Sequence, residues 1–186
     1  MKTRNLMSFV KMLASGQIKS EDGIFTIGGR RQLIVNFETF RVMMDEMSNQ
    51  LGGNVKAVYR IGKAGGKAFG EIGEQFVIDK ETFLSEILEL TSFSGWGNFT
   101  VEDFDEVNGR AIIKCENSVF ADRQGTEPAC HVTRGLVAGV CSYLFKQDVD
   151  AIETTCAAKG DQFCTFKIMK LGDFPEKDKP LVAAQI

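Results

Sequence analysis

WGNFTVEDFDEVNGRAIIKCENSVF, residues 96–120, is the stretch on which the fold turns. Apolar and polar residues alternate on both sides of Asn108-Gly109. A period of two belongs to a strand with one buried face. Asn-Gly accepts the positive φ angles of a tight hairpin turn. The stretch therefore predicts an antiparallel hairpin. VDAIETTC (149–156) and QFCTFKIM (162–169) predict a second one around Gly160-Asp161. Between the two hairpins, ACHVTRGLVAGVCSYLF (129–145) places Val132, Leu136, Val140 and Leu144 on one helical face, and Pro128 suits a helix start.

Working outward, GIFTIGGRRQLIV (23–35) reads as two short β-rich runs around Gly28-Gly29. Asn36 is placed to cap a helix, FETFRVMMDEMSNQL, that Gly52-Gly53 ends. Phe37, Phe40, Met43, Met44 and Met47 recur at helical spacing, the pattern of a core-facing stripe. In NVKAVYRIGKAGGKAFGEIGEQF (54–76), Gly62, Gly66 and Gly70 repeat every four residues. Each glycine inside a helix costs about 1 kcal/mol against alanine, so close approach of another backbone must offset it. That approach is equally well by a ligand or a dimer partner, or through tight packing within the chain. GKAGGKA is not a phosphate loop, because the spacing is short and Ala68 stands where Ser or Thr would hold Mg²⁺. KETFLSEILELTS (80–92) is a further helix.

The order of elements predicts an α+β fold. N-terminal helices pack on an antiparallel sheet built from two C-terminal hairpins with an intervening helix. We expect an N-terminal helix or extension over 1–19, one ligand-binding domain over 20–171, and a loose C-terminal tail over 172–186, which is rich in Pro and charge. The net charge of −3 gives no broad basic surface for direct nucleic-acid binding. Lys11 interrupts the first apolar stretch, which argues against a signal peptide, and no apolar run is long enough for a membrane span. The expected compartment is the cytoplasm, where thiols stay reduced.

Five cysteines are present, an odd count that suits a disulfide framework poorly. Cys115 lies in an alternating strand and Cys141 in an apolar helix, where buried cysteine acts as a small hydrophobe. Cys130, Glu153, Cys156 and Cys164 differ. Cys130 sits at a helix start, where the dipole favours thiolate. Cys156 and Cys164 flank the second hairpin turn. Three sulfurs and a carboxylate can make a closed tetrahedral Zn²⁺ site. Strand parity puts Glu153 and Cys156 on opposite faces, so the strand must bend between them if both bind one ion, and the seven-residue loop with Gly160-Asp161 is expected to supply that bend. A loaded site of this kind is anionic and calls for nearby donors; Arg134 and Lys159 are the candidates.

Pro128-Ala-Cys130 before a small-residue helix, then Glu153, Cys156 and Cys164, resembles the vinyl-4-reductase domain family, including the sensor region of phenol-responsive transcriptional activators. CENSVFA (115–121) resembles the family strand that precedes a long loop. The resemblance is best over about residues 95–170. It implies zinc on those four residues and a fold similar to Golgi transport-particle subunits and nitric-oxide sensors. It also implies a homodimer and a buried pocket for a small, largely apolar molecule. Cys115 stands where the phenol sensors carry a pocket Trp, and His131, the only histidine, has no pocket counterpart, so phenol itself is not the expected ligand.

The expected function is a stand-alone domain that binds a small hydrophobic, aromatic or lipid-like molecule, as a sensor with structural zinc, and acts through a protein partner. Candidate lining residues are Tyr59, Phe69, Phe83 and Ile87, with Trp96, Phe99 and Phe120. The alternatives are an accessory or reductase-associated protein in tetrapyrrole metabolism, or a dimeric assembly subunit that uses the glycine-lined helix. Against catalysis, no GxGxxG sits between a strand and a helix, and four protein ligands leave a zinc no open position.

Overall fold

The computed structural model describes residues 10, 13–27, 29–73 and 79–186, with nothing taken from the side chains of residues 72 and 73. The helix expected over 1–19 falls largely outside these residues. The chain divides into two compact units, residues 1–47 and 48–186.

The first unit holds a three-stranded antiparallel sheet in the order β1-β2-β3. Its strands are β1 (Ile18–Glu21), β2 (Ile24–Ile27) and β3 (Arg30–Gln32). Strands β2 and β3 form the expected hairpin, while β1 extends the sheet beyond what the sequence pattern indicates. Helix α1 (Phe37–Gln50) begins as expected, with Asn36 Oδ1 accepting from the main-chain N–H of Glu38 at 2.9 Å. Its Phe/Met stripe is not core, however. No residue of α1 is buried, and Met43 is 61% exposed. Spacing sets an amphipathic face, but whether anything covers that face is a tertiary matter.

The second unit contains α2 (Val55–Gly73), α3 (Lys80–Phe93), β4 (Asn98–Asp105), β5 (Arg110–Glu116), α4 (His131–Phe145), β6 (Asp150–Thr155), β7 (Cys164–Met169) and α5 (Lys179–Gln185). Its sheet is antiparallel with the order β4-β5-β7-β6. Gly109 turns the first hairpin at φ +63°, and Asp105 Oδ1 accepts from the Asn108 main-chain N–H at 3.0 Å. The α+β architecture read from the two C-terminal hairpins and their intervening helix is the one observed. Helix α4 starts at His131, with Cys130 as its cap, rather than at Pro128.

One sheet face is apolar across three strands. Ala111, Ile113 and Cys115 of β5 lie opposite Ile168, Phe166 and Cys164 of β7, and all six are buried. Ala151 and Glu153 of β6 join the same face opposite Ile168 and Phe166. Directly opposite residues of antiparallel strands share a face, so this face is one continuous layer.

Helices α2 and α4 pack backbone to backbone. A Cβ added at Gly66 would lie 2.1 Å from the Leu136 carbonyl oxygen, and one at Gly139 would lie 2.2 Å from that of Lys63. Gly62 and Gly135 meet the opposite helix in the same way. The glycine repeat is therefore satisfied within the chain, which removes that face from the dimerisation role considered for it.

The C-terminal residues are not a loose end. Phe174 is buried against Ile152 and Met169, and Leu181, Val182 and Ile186 pack on that cluster. Proline at the start of α5 suits its first turn and does not signal disorder there.

Candidate metal centre

Four elements bring Cys130, Glu153, Cys156 and Cys164 together. One ligand atom from each lies within 4.8 Å of the others, and all four residues are buried. Cys130 caps α4, Glu153 lies in β6, and Cys164 begins β7. Cys156 follows β6, just before a 3-10 turn over Ala157–Lys159.

The parity conflict between Glu153 and Cys156 is resolved by a bulge. Glu153 lies opposite Phe166, but Thr155 lies opposite Thr165, so β6 holds one extra residue there. Thr155 and Thr165 share a hydrogen bond of 2.8 Å between their hydroxyl oxygens on the other face. The next residue, Cys156, is thereby returned to the face of Glu153. Gly160, at φ +96°, and Asp161, whose Oδ2 accepts from the Cys156 main-chain N–H at 2.7 Å, close the turn.

The sulfurs receive backbone donors. The Ala129 N–H approaches Cys156 Sγ at 3.5 Å, and the Ala157 N–H approaches Cys164 Sγ at 3.3 Å. The Ser118 hydroxyl lies 3.4 Å from Cys130 Sγ, and Cys130 Sγ lies 3.6 Å from Cys164 Sγ. Such donors stabilise negative sulfur. The hydrogen bond that Cys130 directs at Cys156 holds the Cys156 thiol well below its usual range, and the same bond pushes Cys130 up. Burial raises the Glu153 carboxyl to about 8, with the Cys156 charge adding to it.

Both carboxylate oxygens of Glu153 are buried without a hydrogen-bond partner, although the residue is only 2% exposed. An unsatisfied buried carboxylate costs several kcal/mol on the order of a lost charge pair. A cation among the three sulfurs would supply what the protein does not. The donor set therefore fits a metal ion.

The surroundings separate the expected neighbours. Arg134, one turn along α4 from Cys130, is fully buried, and its guanidinium lies 4.7 Å from the centre of the Tyr59 ring. Lys159 is exposed on the turn, so the nearby cationic role falls to Arg134. Burial pushes the Cys115 and Cys141 thiols up to about 12, and both stay outside the cluster as small core residues.

The candidate ligand residues fall into two groups. Phe83 and Ile87 are buried on α3, and Phe99 on β4, where its main-chain N–H donates to Ser92 Oγ of α3 at 2.9 Å. Trp96 and Phe120 lie on adjoining segments, with the Val119 N–H donating to the Trp96 carbonyl at 3.0 Å. Tyr59 and Phe69 belong to α2 instead. The Tyr59 hydroxyl donates to Asp150 Oδ1 at 2.7 Å and accepts from the Ala151 N–H at 3.1 Å, so it is engaged with β6. An open cleft of about 470 Å³ lies elsewhere, between α2 and the end of α4, lined by Lys67, Tyr143, Gln147 and Asp148 among others. Sequence reasoning missed Gln185 as a neighbour of the centre; its only signal was a polar residue in an otherwise apolar final turn.

No helix among the described residues is long and apolar enough to cross a membrane. Residues 111–170 match the V4R domain family. The chain is 31% identical over 120 residues to the uncharacterized protein MJ0150 of Methanocaldococcus jannaschii, covering 62% of this chain and 64% of that one, so it spans less than two thirds of that relative's length. Its fold is similar to that of the phenol-responsive sensory domain of the transcription activator PoxR, solved with phenol. That match has a TM-score of 0.77 at 17% identity and covers 100% of this chain and 98% of the other. A vinyl-4-reductase family protein from Methanocaldococcus jannaschii matches with a TM-score of 0.56 at 18% identity, covering 74% and 82%. Trafficking protein particle complex subunit 3 from Naegleria fowleri, covalently bound to palmitic acid, matches with a TM-score of 0.53 at 12% identity, covering 72% and 94%. The segment that matches the V4R domain family contains nearly all of β5, with α4, β6, β7 and all four clustered ligand residues, so the likeness lies in the part of the chain that holds the centre.

Proposed function

We propose that this chain is a sensory domain for a small hydrophobic, aromatic or lipid-like molecule, held in shape by a structural Zn²⁺ on Cys130, Glu153, Cys156 and Cys164. The sensory reading is supported above all by the fold likeness to the PoxR phenol-sensing domain over the whole chain. The palmitic acid carried by the trafficking-complex subunit is consistent with an apolar ligand on this fold.

For the metal, the supporting observation is the buried, unpartnered Glu153 carboxylate among three sulfurs. Thiolate-rich ligation selects soft or borderline ions, and with no redox chemistry Zn²⁺ suits a structural role. Four protein ligands complete its tetrahedron, so its contribution is to pin β7 and the β6 bulge to the start of α4. The ligand chamber is assigned to the apolar residues of α3, β4 and the following segments: Phe83, Ile87, Trp96, Phe99 and Phe120, with Phe69 and Tyr59 contributed by α2. The domain acts as a homodimer in the cytoplasm and passes its signal to a protein partner.

Native mass spectrometry of the purified chain tests this reading, because it reports metal, ligand and oligomer together. The expected result is one zinc per chain, a dimer, and uptake of small aromatics or a fatty acid. A stable chain that carries no zinc and takes up none of these probes would overturn it.

A further inference from the structure

We propose that Arg134 and Gln185 form a latch that couples occupancy of the metal centre to docking of helix α5. The inference rests on the metal reading above and adds a readout to it.

Strand β6 is the edge of its sheet, so the outer main-chain groups of Glu153 have no strand partner. The side-chain amide of Gln185 takes that place. The Glu153 N–H donates to Gln185 Oε1 at 2.7 Å, and Gln185 Nε2 donates to the Glu153 carbonyl at 3.0 Å. One amide thus brackets the main chain of the very residue that carries the carboxylate ligand. Gln185 is 4% exposed, so this pairing is buried.

Arg134 holds Gln185 from the other side. Its Nη1 donates to Gln185 Oε1, and its Nη2 donates to the Gln185 carbonyl at 2.7 Å. Both partners are neutral, and Arg134 Nε is buried without any partner. A fully buried cation bonded only to neutral groups is costly unless negative charge lies close by. Cys130 sits one turn back on α4, and Glu153 sits across the Gln185 amide. Three thiolates and a carboxylate around a divalent ion leave a net negative centre, and Arg134 is the buried cation placed to balance it. Loading the centre fixes Cys130 and Glu153; these set Arg134 and the Glu153 main chain, which together hold Gln185. Helix α5 carries that state to the surface, with its apolar side resting on Ile152, Met169 and Phe174. Coupling of this kind is reciprocal. Arg134 and Gln185 are positioning residues for the centre, not ligands.

The test uses the purified chain and zinc itself. Hydrogen exchange is followed at the main-chain amides of residues 182–186, with zinc bound and after removal by a chelator. Zinc affinity is measured by chelator competition for the wild type and for Gln185→Ala, at a temperature where both are folded. We expect exchange of those amides to rise about tenfold on metal removal, and Gln185→Ala to weaken zinc binding about tenfold, the lower end of what lost outer-shell partners cost. The Co²⁺-substituted centre should change its absorption spectrum in the variant. If the wild type binds zinc but its exchange at 182–186 is the same in both states, the latch is overturned and the metal reading stands. A Gln185→Ala chain that is less stable yet binds zinc as tightly as the wild type overturns it too. A wild type that takes up neither Zn²⁺ nor Co²⁺ removes the metal reading, and the latch with it.

Discussion

Cys130 Sγ lies 3.6 Å from Cys164 Sγ, although 34 residues separate them in sequence. One residue caps the helix that covers the sheet, and the other opens a central strand of that sheet. The contact joins the two layers of the unit at one end, and Cys156 and Glu153 complete the junction from the edge strand.

Replacing Cys156 or Cys164 with Ser should lower metal content and stability together, because metal binding at such a site is part of the folding free energy. Zinc per chain should fall close to zero by elemental analysis. Loss of about 2 kcal/mol corresponds to a Tm drop of roughly 4–8 °C for a domain of this size. A Cys156→Ser chain with wild-type zinc content and Tm would contradict the assignment.

His131 gives a pH test, since it is the only histidine in the chain. Burial lowers its imidazole from 6.5 to about 4, and the positive charge of Arg134 adds to the shift. A base with a depressed folded pKa binds fewer protons when folded than when unfolded. Its contribution to stability is therefore complete above 6.5 and is lost as pH falls toward 4. In the metal-free chain a single imidazole resonance should titrate with a midpoint near 4 by NMR. A midpoint at the ordinary histidine value would show the ring to be solvated.

The glycine contact between α2 and α4 separates two neighbouring positions. At Gly66 an added Cβ meets the Leu136 main chain, which cannot swing aside, whereas at Gly65 the nearest atom is Leu136 Cδ2 at 3.6 Å. Gly66→Ala should cost about 1–3 kcal/mol through overpacking. Gly65→Ala should be neutral or stabilising by up to about 1 kcal/mol through helix propensity. Urea denaturation of the two variants checks the contrast, and equal effects would mean that the helices are not in backbone contact.

Tyr59→Phe keeps the ring beside Arg134 and removes only the hydroxyl. Asp150 then loses a donor and the Ala151 N–H loses its acceptor. A loss of about 1–3 kcal/mol is expected for buried groups left unpaired. No loss in chemical denaturation would show that water replaces the hydroxyl.

Much of this was legible in the sequence, and the parts that were not have physical reasons. Asn108-Gly109 marks its hairpin because turn chemistry is local. Cys130, Glu153, Cys156 and Cys164 could be grouped by spacing and resemblance, and parity already required a bend before Cys156. The bend lies at Thr154 and not in the Gly160-Asp161 loop to which the sequence pointed, because a bulge is defined by the partner strand. The glycine repeat announced a close backbone but not whose. The Phe/Met stripe of α1 shows the converse, an amphipathic face on which no residue is buried. Gln185 was invisible because it bonds main-chain atoms 32 residues away, which no side-chain pattern records.

The single extra residue in β6 also constrains how this sequence can vary. Thr154 works as a phase shifter: paired as an ordinary strand residue it would turn Cys156 to the opposite side of the sheet, and as the extra residue of the bulge it leaves Cys156 on the side of Glu153. Segments before Asp150 or beyond Met169 can change length without touching that count. Between Glu153 and Cys156 the residue count and the bulge are tied together, so a related chain that keeps the centre either keeps both or loses one residue and the bulge with it.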